Sequence, residues 1–286
     1  CYAAWSSDPR DAVAAAAELR RFRLTLCEPR PSDAALTEVD ALVAWTSGVA
    51  SLIRGEMPAA AAAFDVAAAH FHKLAQPLHA AQTQVPKIMA LSMLGRYDAA
   101  IDCAERAQRA FVAQRDVRGA GKVSLNLGGL HGRRGNYAQA AQQSRAASVL
   151  FARVGDHERS VQADINLADA LTSMGDFDEA LRIYARARMR ASAHDHPVLQ
   201  TLVEESVALL QLARGRYHEA LAGFESARRQ YELLGMPQHL AIAEKQLADA
   251  YLELRLLPEA VALYDQVLAR LATLDAADEQ AWTLAQ

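Results

Sequence analysis

The segment "VQADINLADALTSMGDFDEALRIYARARMRA" (residues 161–191) predicts the building unit of this protein. Its first part, residues 161–174, carries apolar residues at helical spacing and stops at Gly175, a residue that tolerates the left-handed backbone common after a helix. The remaining part begins with Asp178 and Glu179, acids that the helix dipole stabilises in a first turn. The segment therefore predicts two antiparallel helices joined by a short turn.

Features of this segment recur at intervals of forty residues. A glycine marks five of the intervals, and Arg255 stands at the sixth position. The glycines are Gly55, Gly95, Gly135, Gly175 and Gly215. An alanine, small enough to let two helices approach closely, follows five residues after each of the six positions. These alanines are Ala60, Ala100, Ala140, Ala180, Ala220 and Ala260. We call residues at the same position of successive forty-residue intervals a column. Columns of one residue type that stay in register over six intervals indicate a repeat protein.

The pattern G-x-[YF]-x-x-A, with a small residue seven positions earlier and an alanine twelve positions later, resembles the tetratricopeptide repeat. The resemblance covers residues 41–280, and each unit is longer than the usual 34 residues. It implies an all-α fold, a right-handed α-solenoid of tandem antiparallel helix pairs. The departures are Arg255 in the glycine column, the absence of tryptophan in the early first-helix column, and the lack of a regular proline near the repeat end.

The repeat columns also suggest a division of the chain. Residues 1–40 are expected to form a partial N-terminal repeat and a connector, residues 41–280 six repeats, and residues 281–286 the start of a further helix. The whole is expected to be one continuous solenoid domain. Because neither end shows a polar cap, we expect the native chain to be longer or another module to cover its ends.

A glycine-rich stretch at residues 118–137 invites comparison with a phosphate-binding loop. That loop requires G-x-x-x-x-G-K-[ST], whereas here Val123 follows Gly121-Lys122 and Asp116 replaces the first glycine. The repeat frame instead places the stretch in the first helix of the third unit. Gly128 falls in the small-residue column, but Gly129 and Gly132 have no such reason to be glycine.

Composition and residue spacing give no sign of a catalytic, cofactor-binding or metal site. The formal net charge is −4, and no run approaches the roughly 20 apolar residues of a membrane span. Cys1, Cys27 and Cys103 are an odd set at no metal spacing, which favours a reduced, cytoplasmic location. The chain starts with cysteine rather than methionine, so it is expected to be an excised piece.

The resemblance also implies where a ligand would bind, because first helices of this family line a concave groove. Transferred by position, the sixth residue of each repeat (column six, counted from residues 41, 81, 121, 161, 201 and 241) is Thr46, Pro86, Asn126, Asn166, Ser206 or Gln246. The amides in this column can both donate to and accept from a peptide backbone. The predicted groove residues are Gln82, Lys122, Asn126, Arg133, Gln162, Asn166, Asp169, Gln246 and Asp249. The alternative is an ordinary solvated polar face. Pro86, inside a predicted helix, is expected to kink it beside Met89 and Met93.

Charge is uneven along the chain. Residues 106–153 contain nine basic residues and a single acid, Asp116. This basic belt could attract an acidic protein surface; nucleic acid is less favoured, because aromatic residues for stacking are scarce.

The forty-residue units resemble the repeat arms of bacterial CHAT-peptidase proteins and of MalT-like nucleotide-switch regulators. The expected function is therefore a non-catalytic interaction scaffold that binds a peptide or a partner domain, which could belong to the same chain. The alternatives are a regulatory arm of a larger enzyme and a receptor for short signalling peptides.

Overall fold

The computed structural model describes residues 9–25 and 32–274, which form thirteen helices and contain no strand. The helices are α1 Pro9–Thr25, α2 Asp33–Ile53, α3 Met57–Lys73, α4 Pro77–Met93, α5 Tyr97–Ala113, α6 Val117–Arg133, α7 Tyr137–Arg153, α8 His157–Ser173, α9 Phe177–Ala193, α10 Pro197–Ala213, α11 Tyr217–Leu233, α12 Pro237–Glu253 and α13 Leu257–Leu274. Cys1, Cys27 and the helix predicted to begin at 281–286 lie outside the described residues.

From α2 onward the helices form six pairs, each made of a first helix (even-numbered) and a second helix (odd-numbered). This confirms the predicted all-α repeat of helix pairs. The boundary predicted at residue 41 falls within α2, which begins at Asp33. The first helix predicted at 161–174 likewise begins earlier, at His157, where the Asp156 carboxylate caps it by accepting a hydrogen bond from the Arg159 backbone N–H.

The turns between helices share one backbone conformation. Gly175 has φ 83°, as predicted, and Arg255 has φ 61° despite its side chain. After α8, the Asp176 N–H bonds to the Leu171 carbonyl at 2.9 Å, and the Gly175 N–H bonds to the Thr172 carbonyl at 3.0 Å. Left-handed residues also lie midway between the columns of forty, so the turn recurs every twenty residues. These are Ala75, Arg115, Gly155, Asp195 and Gly235.

Small residues allow the helices of each pair to pack closely. A Cβ added to Gly48 would lie 2.7 Å from the ring of Phe64, and one added to Gly128 would lie 2.5 Å from Ser144 Oγ. Gly128 therefore has the packing role that its column predicted. The six alanines that recur every forty residues, from Ala60 to Ala260, are all buried.

The chain divides into two compact units, unit 1 from Cys1 to Val154 and unit 2 from Gly155 to Gln286. The main core cluster of unit 1 is built from alanines and aromatic rings such as Phe64 and Phe111. Unit 2 adds buried ion pairs, in which the fully buried Asp164 binds Arg186 and Arg190. The single continuous domain remains a prediction.

Among the described helices, α2 is long and apolar enough to cross a membrane, by length and composition alone. The core helix of a repeat passes the same test. Val49 and Leu52 of α2 are buried in the core cluster that also contains Phe64.

Candidate functional site

The nine predicted groove residues all lie on first helices, and none of them is fully buried. Four belong to unit 1 and five to unit 2. We call the accessible side of these helices the first-helix face. That these residues form one binding groove remains a prediction, and each unit is described separately.

In unit 1 the first-helix face contains a cleft of about 420 Å³. Gln82 and Lys122 line it, so the structure brings these two predicted residues together. The apolar wall includes Trp45 and Phe71, whose rings meet edge to face at 5.9 Å. The remaining lining residues are Glu38, Leu42, Gln76, His79, Val85, Phe111, Asp116, Arg118 and Gly119. The aromatic wall suits an apolar side chain of a ligand, and seven of the thirteen lining residues are polar or charged and could orient polar groups of that ligand.

Along α6, Lys122, Asn126, Gly129 and Arg133 follow one another at helical spacing on this face. The half-buried Asn126 amide makes no hydrogen bond to any described residue. Arg133 is exposed, and its Nη1 donates to Ser92 Oγ of α4 at 3.1 Å. This hydrogen bond links the exposed surfaces of α4 and α6.

In unit 2 the face presents carboxylates that tyrosines hold in place. The hydroxyl of Tyr184 on α9 donates to Asp169 Oδ1, and the hydroxyl of Tyr264 on α13 donates to Asp249 Oδ1. Asp249 Oδ2 also accepts from the buried Lys245, at 2.7 Å. The two predicted acids therefore have fixed orientations.

Two carboxyls of unit 2 have strongly shifted pKa values. Asp169 is exposed as a residue, but its carboxyl is crowded between α8, α9 and α10. This burial raises the pKa of Asp169 to about 6, although hydrogen bonds from Tyr184 and Ser206 act to lower it. Glu205 is only 2% exposed, and burial raises its pKa to about 7. Its Oε2 accepts from the Tyr231 hydroxyl at 2.9 Å, while its Oε1 is buried without a partner among the described residues.

The other predicted residues of unit 2 carry amides. Gln162 is exposed and Asn166 is half-buried, and neither side chain hydrogen-bonds to a described residue. Gln246 is half-buried, and its Oε1 has no partner in the described part of the chain. Asn126 in unit 1 and Asn166 in unit 2 therefore occupy the same repeat position, and neither amide hydrogen-bonds to a described residue.

The residues of the basic belt are distributed over several helices. They lie on α5, α6, α7 and the adjoining turns. Arg118 and Lys122 line the cleft beside Glu38 and Asp116, whereas Arg134 is paired with Asp98. An acidic partner at this belt remains a prediction.

Reading the sequence column by column missed the partners of these residues, although a signal was present. Two repeats have aspartate at their ninth residue, and the same two repeats have tyrosine fifteen residues later: Asp169 with Tyr184, and Asp249 with Tyr264. None of the other four repeats has aspartate or tyrosine at these two positions. Comparing columns in pairs would have predicted both contacts. The cleft residue Phe71 carried no such signal, because it lies on a second helix, outside the columns searched.

Comparisons with known proteins address the family and the fold. The family model described as tetratricopeptide repeat matches residues 120–192 and 198–273, more than half of the chain. No curated protein sequence is significantly similar to this chain.

Three solved structures share the fold at low identity. The apo form of RapI has a TM-score of 0.77 and 12% identity, with 96% of each chain covered. NprR in complex with its cognate peptide NprX has a TM-score of 0.64 and 14% identity, over 96% of this chain and 82% of that one. A signal transduction ATPase of the STAND type with a tetratricopeptide repeat sensor, from Pyrococcus horikoshii, has a TM-score of 0.54 and 14% identity, over 93% of this chain and 41% of that one.

Proposed function

This chain belongs to the tetratricopeptide repeat family, and on that premise we propose that it is a non-catalytic scaffold that binds an extended peptide segment of a partner on its first-helix faces. The observation that carries the proposal is the pair of unused amides at Asn126 and Asn166. A half-buried amide that hydrogen-bonds to water can exchange this water for the N–H and C=O groups of a ligand backbone. The cleft in unit 1 supports the proposal, because it offers an apolar wall and is lined by Lys122, which lies about one turn before Asn126 on α6.

The comparison with NprR adds support by analogy, since that protein was solved with its cognate peptide. At 14% identity the likeness concerns the fold alone. We place the protein in the cytoplasm, as its cysteine usage suggests.

The proposal is tested by selecting binders from a phage-displayed library of random 12-residue peptides. Binding of the enriched peptide, labelled with fluorescein, is then measured by fluorescence anisotropy. Changing Asn126→Ala and Asn166→Ala together removes the amide from the first-helix face of each unit, so binding is expected to weaken at least tenfold whichever unit holds the peptide.

The matched control removes two exposed amides from second helices, Gln142→Ala with Gln230→Ala. This variant is expected to bind as the wild type does. If the asparagine variant also binds like the wild type, or if the library yields no binder, the proposal is wrong.

A second candidate is that the chain serves as the sensor arm of a larger regulator. The fold similarity to a STAND ATPase with a tetratricopeptide repeat sensor, 41% of whose chain is covered by this chain, favours it. The same hypothesis includes a larger protein in which this chain is joined to a CHAT peptidase domain. The reading frame would then encode a phosphate-binding loop or a His/Cys peptidase segment beyond Gln286 or before Cys1. A reading frame with an initiator methionine and a stop codon at these two positions would contradict it.

A further inference from the structure

Helix α6 contains glycines of two kinds. Gly119, Gly121 and Gly128 are needed for packing, because an added Cβ would lie 2.4, 3.0 and 2.5 Å from Phe111, Phe151 and Ser144, respectively. At Gly129 an added Cβ would meet nothing within 4 Å. Since glycine destabilises a helix interior relative to alanine, packing and stability give no reason for glycine at 129.

Exposed apolar side chains lie on the neighbouring first helix at the repeat position of Gly129. The Arg133–Ser92 hydrogen bond links α4 and α6, and Gly129 and Met89, at the same repeat position, each lie about one turn before it on their helices. Met89 is 40% exposed, and Met93, one turn further along α4, is 48% exposed. Flexible thioether side chains beside bare backbone form a site that can adapt to a bulky apolar group.

Polar groups lie on both sides of Gly129 along α6. About one turn earlier, the Asn126 amide has no hydrogen-bond partner among the described residues. About one turn later, Arg133 donates to a neutral hydroxyl and has no carboxylate within 4 Å in the described part of the chain. Along α6 the order is therefore the amide of Asn126, the bare backbone at Gly129 and the positive charge of Arg133, which has no carboxylate partner among the described residues.

We propose that Gly129 is the position at which a bound peptide contacts the α6 backbone, with a bulky apolar side chain of the peptide above Gly129 and against Met89, and a neighbouring carboxylate of the peptide at Arg133. The inference rests on the proposed function and narrows the ligand to an extended segment in which an apolar residue lies next to an acid. A methyl group at 129 would occupy the space that the apolar side chain needs. The guanidinium of Arg133 supplies the complementary charge.

The steric part is tested with Gly129→Ala, measured against the 12-residue peptide enriched on the wild-type chain. This change should raise the melting temperature, because alanine favours the helix, and should weaken binding at least tenfold. Gly132→Ala is the matched control: its added Cβ would lie 4.0 Å from Ala140 on the side of α7, so the melting temperature should rise while binding stays unchanged. If Gly129→Ala binds as tightly as the wild type, the inference is wrong.

The charge part is tested with two neighbouring arginines. Arg133→Gln should weaken binding about fivefold and reduce its dependence on salt. Arg134→Gln removes the same charge from a residue already paired with Asp98, so binding should change less than twofold. Equal effects of the two changes would overturn the assignment of Arg133.

The outcome separates this inference from the proposed function. If the Asn126→Ala, Asn166→Ala variant loses binding while Gly129→Ala does not, the inference fails and the proposed function stands. If no peptide is enriched, both fail.

Discussion

The first-helix face of unit 1 and that of unit 2 are built from helices of similar length, yet they carry different chemistry. Unit 1 presents an aromatic cleft around Trp45, bare backbone at Gly129 and the charge of Arg133. Unit 2 presents carboxylates held by tyrosine hydroxyls, with a buried acid, Glu205, beside them. The repeat geometry therefore constrains the small residues between helices and leaves the accessible columns free to differ.

The two units also differ in how they stabilise their interiors. Unit 1 places glycine and alanine against phenylalanine rings, whereas unit 2 buries Asp164 and Glu244 against arginines. Losing the acid of such a pair is costly, because each buried carboxylate accepts several charge-assisted hydrogen bonds from its arginines. Stability of unit 2 should therefore depend more strongly on charge than that of unit 1.

The largest effect is expected for Asp164→Ala. The change removes a fully buried carboxylate that Arg186 and Arg190 bind at 2.6 and 2.8 Å, and it should lower the free energy of unfolding by about 3 kcal/mol. Urea denaturation followed by circular dichroism measures the loss. The control in unit 1, Asp98→Ala, removes the exposed partner of Arg134 and should change stability by less than about 0.5 kcal/mol. Similar losses in the two variants would refute the contrast between the units.

The next effect concerns pH. Because the pKa of Glu205 is raised to about 7 in the folded state, the folded chain binds a proton that the unfolded chain has released, and stability falls as pH rises from 5 to 8. Glu205→Gln keeps a side-chain oxygen for Tyr231 and removes this penalty. Its advantage over the wild type should grow by roughly 2 kcal/mol between pH 5 and pH 8.

Urea denaturation at both pH values measures this growth. Glu38→Gln, which changes an exposed acid in the cleft of unit 1, serves as the control and should show no such trend. A pH-independent difference between Glu205→Gln and the wild type would show that Glu205 is not the source.

A smaller effect is expected for Tyr184→Phe, which removes one donor from Asp169. The hydrogen bond favours the ionised carboxyl, so its loss should move the pKa of Asp169 above about 6 and cost about 1 kcal/mol of stability. Titration of the carboxyl carbon by NMR measures the shift. Tyr264→Phe should cost less, because Asp249 keeps its ion pair with Lys245. A greater loss for Tyr264→Phe would contradict this order.

The smallest effect is expected at a feature that the units share. Arg115 in unit 1 and Arg255 in unit 2 have φ values of 57° and 61°, in a region that disfavours side chains. Changing either to glycine should raise the free energy of unfolding by about 0.5 kcal/mol, since the relief of strain exceeds the entropy that glycine adds to the unfolded chain. Melting temperatures of the two variants should rise alike. Opposite shifts would show that the turns are not equivalent.

The site was predictable in part. Reading positions from the repeat placed all nine predicted residues on first helices, and it identified Gly128 as a packing position and Gly129 as one without a packing role. It did not place Trp45 beside Phe71, because these rings come from different helices and no column links them. It also treated Arg255 as a departure from the pattern, whereas its backbone adopts the same conformation as the glycines.

By itself the sequence determined the repeat, the pairing of helices, the close-packed columns and the left-handed turns at the glycines, because each depends on residues near one another along the chain and recurs in register. Only the tertiary structure decided where the helices begin, which side chains wall the cleft, and how burial alters the carboxyls of Asp169 and Glu205. Those properties depend on distances between atoms of different helices and on the exclusion of water. A periodic pattern specifies neither of these.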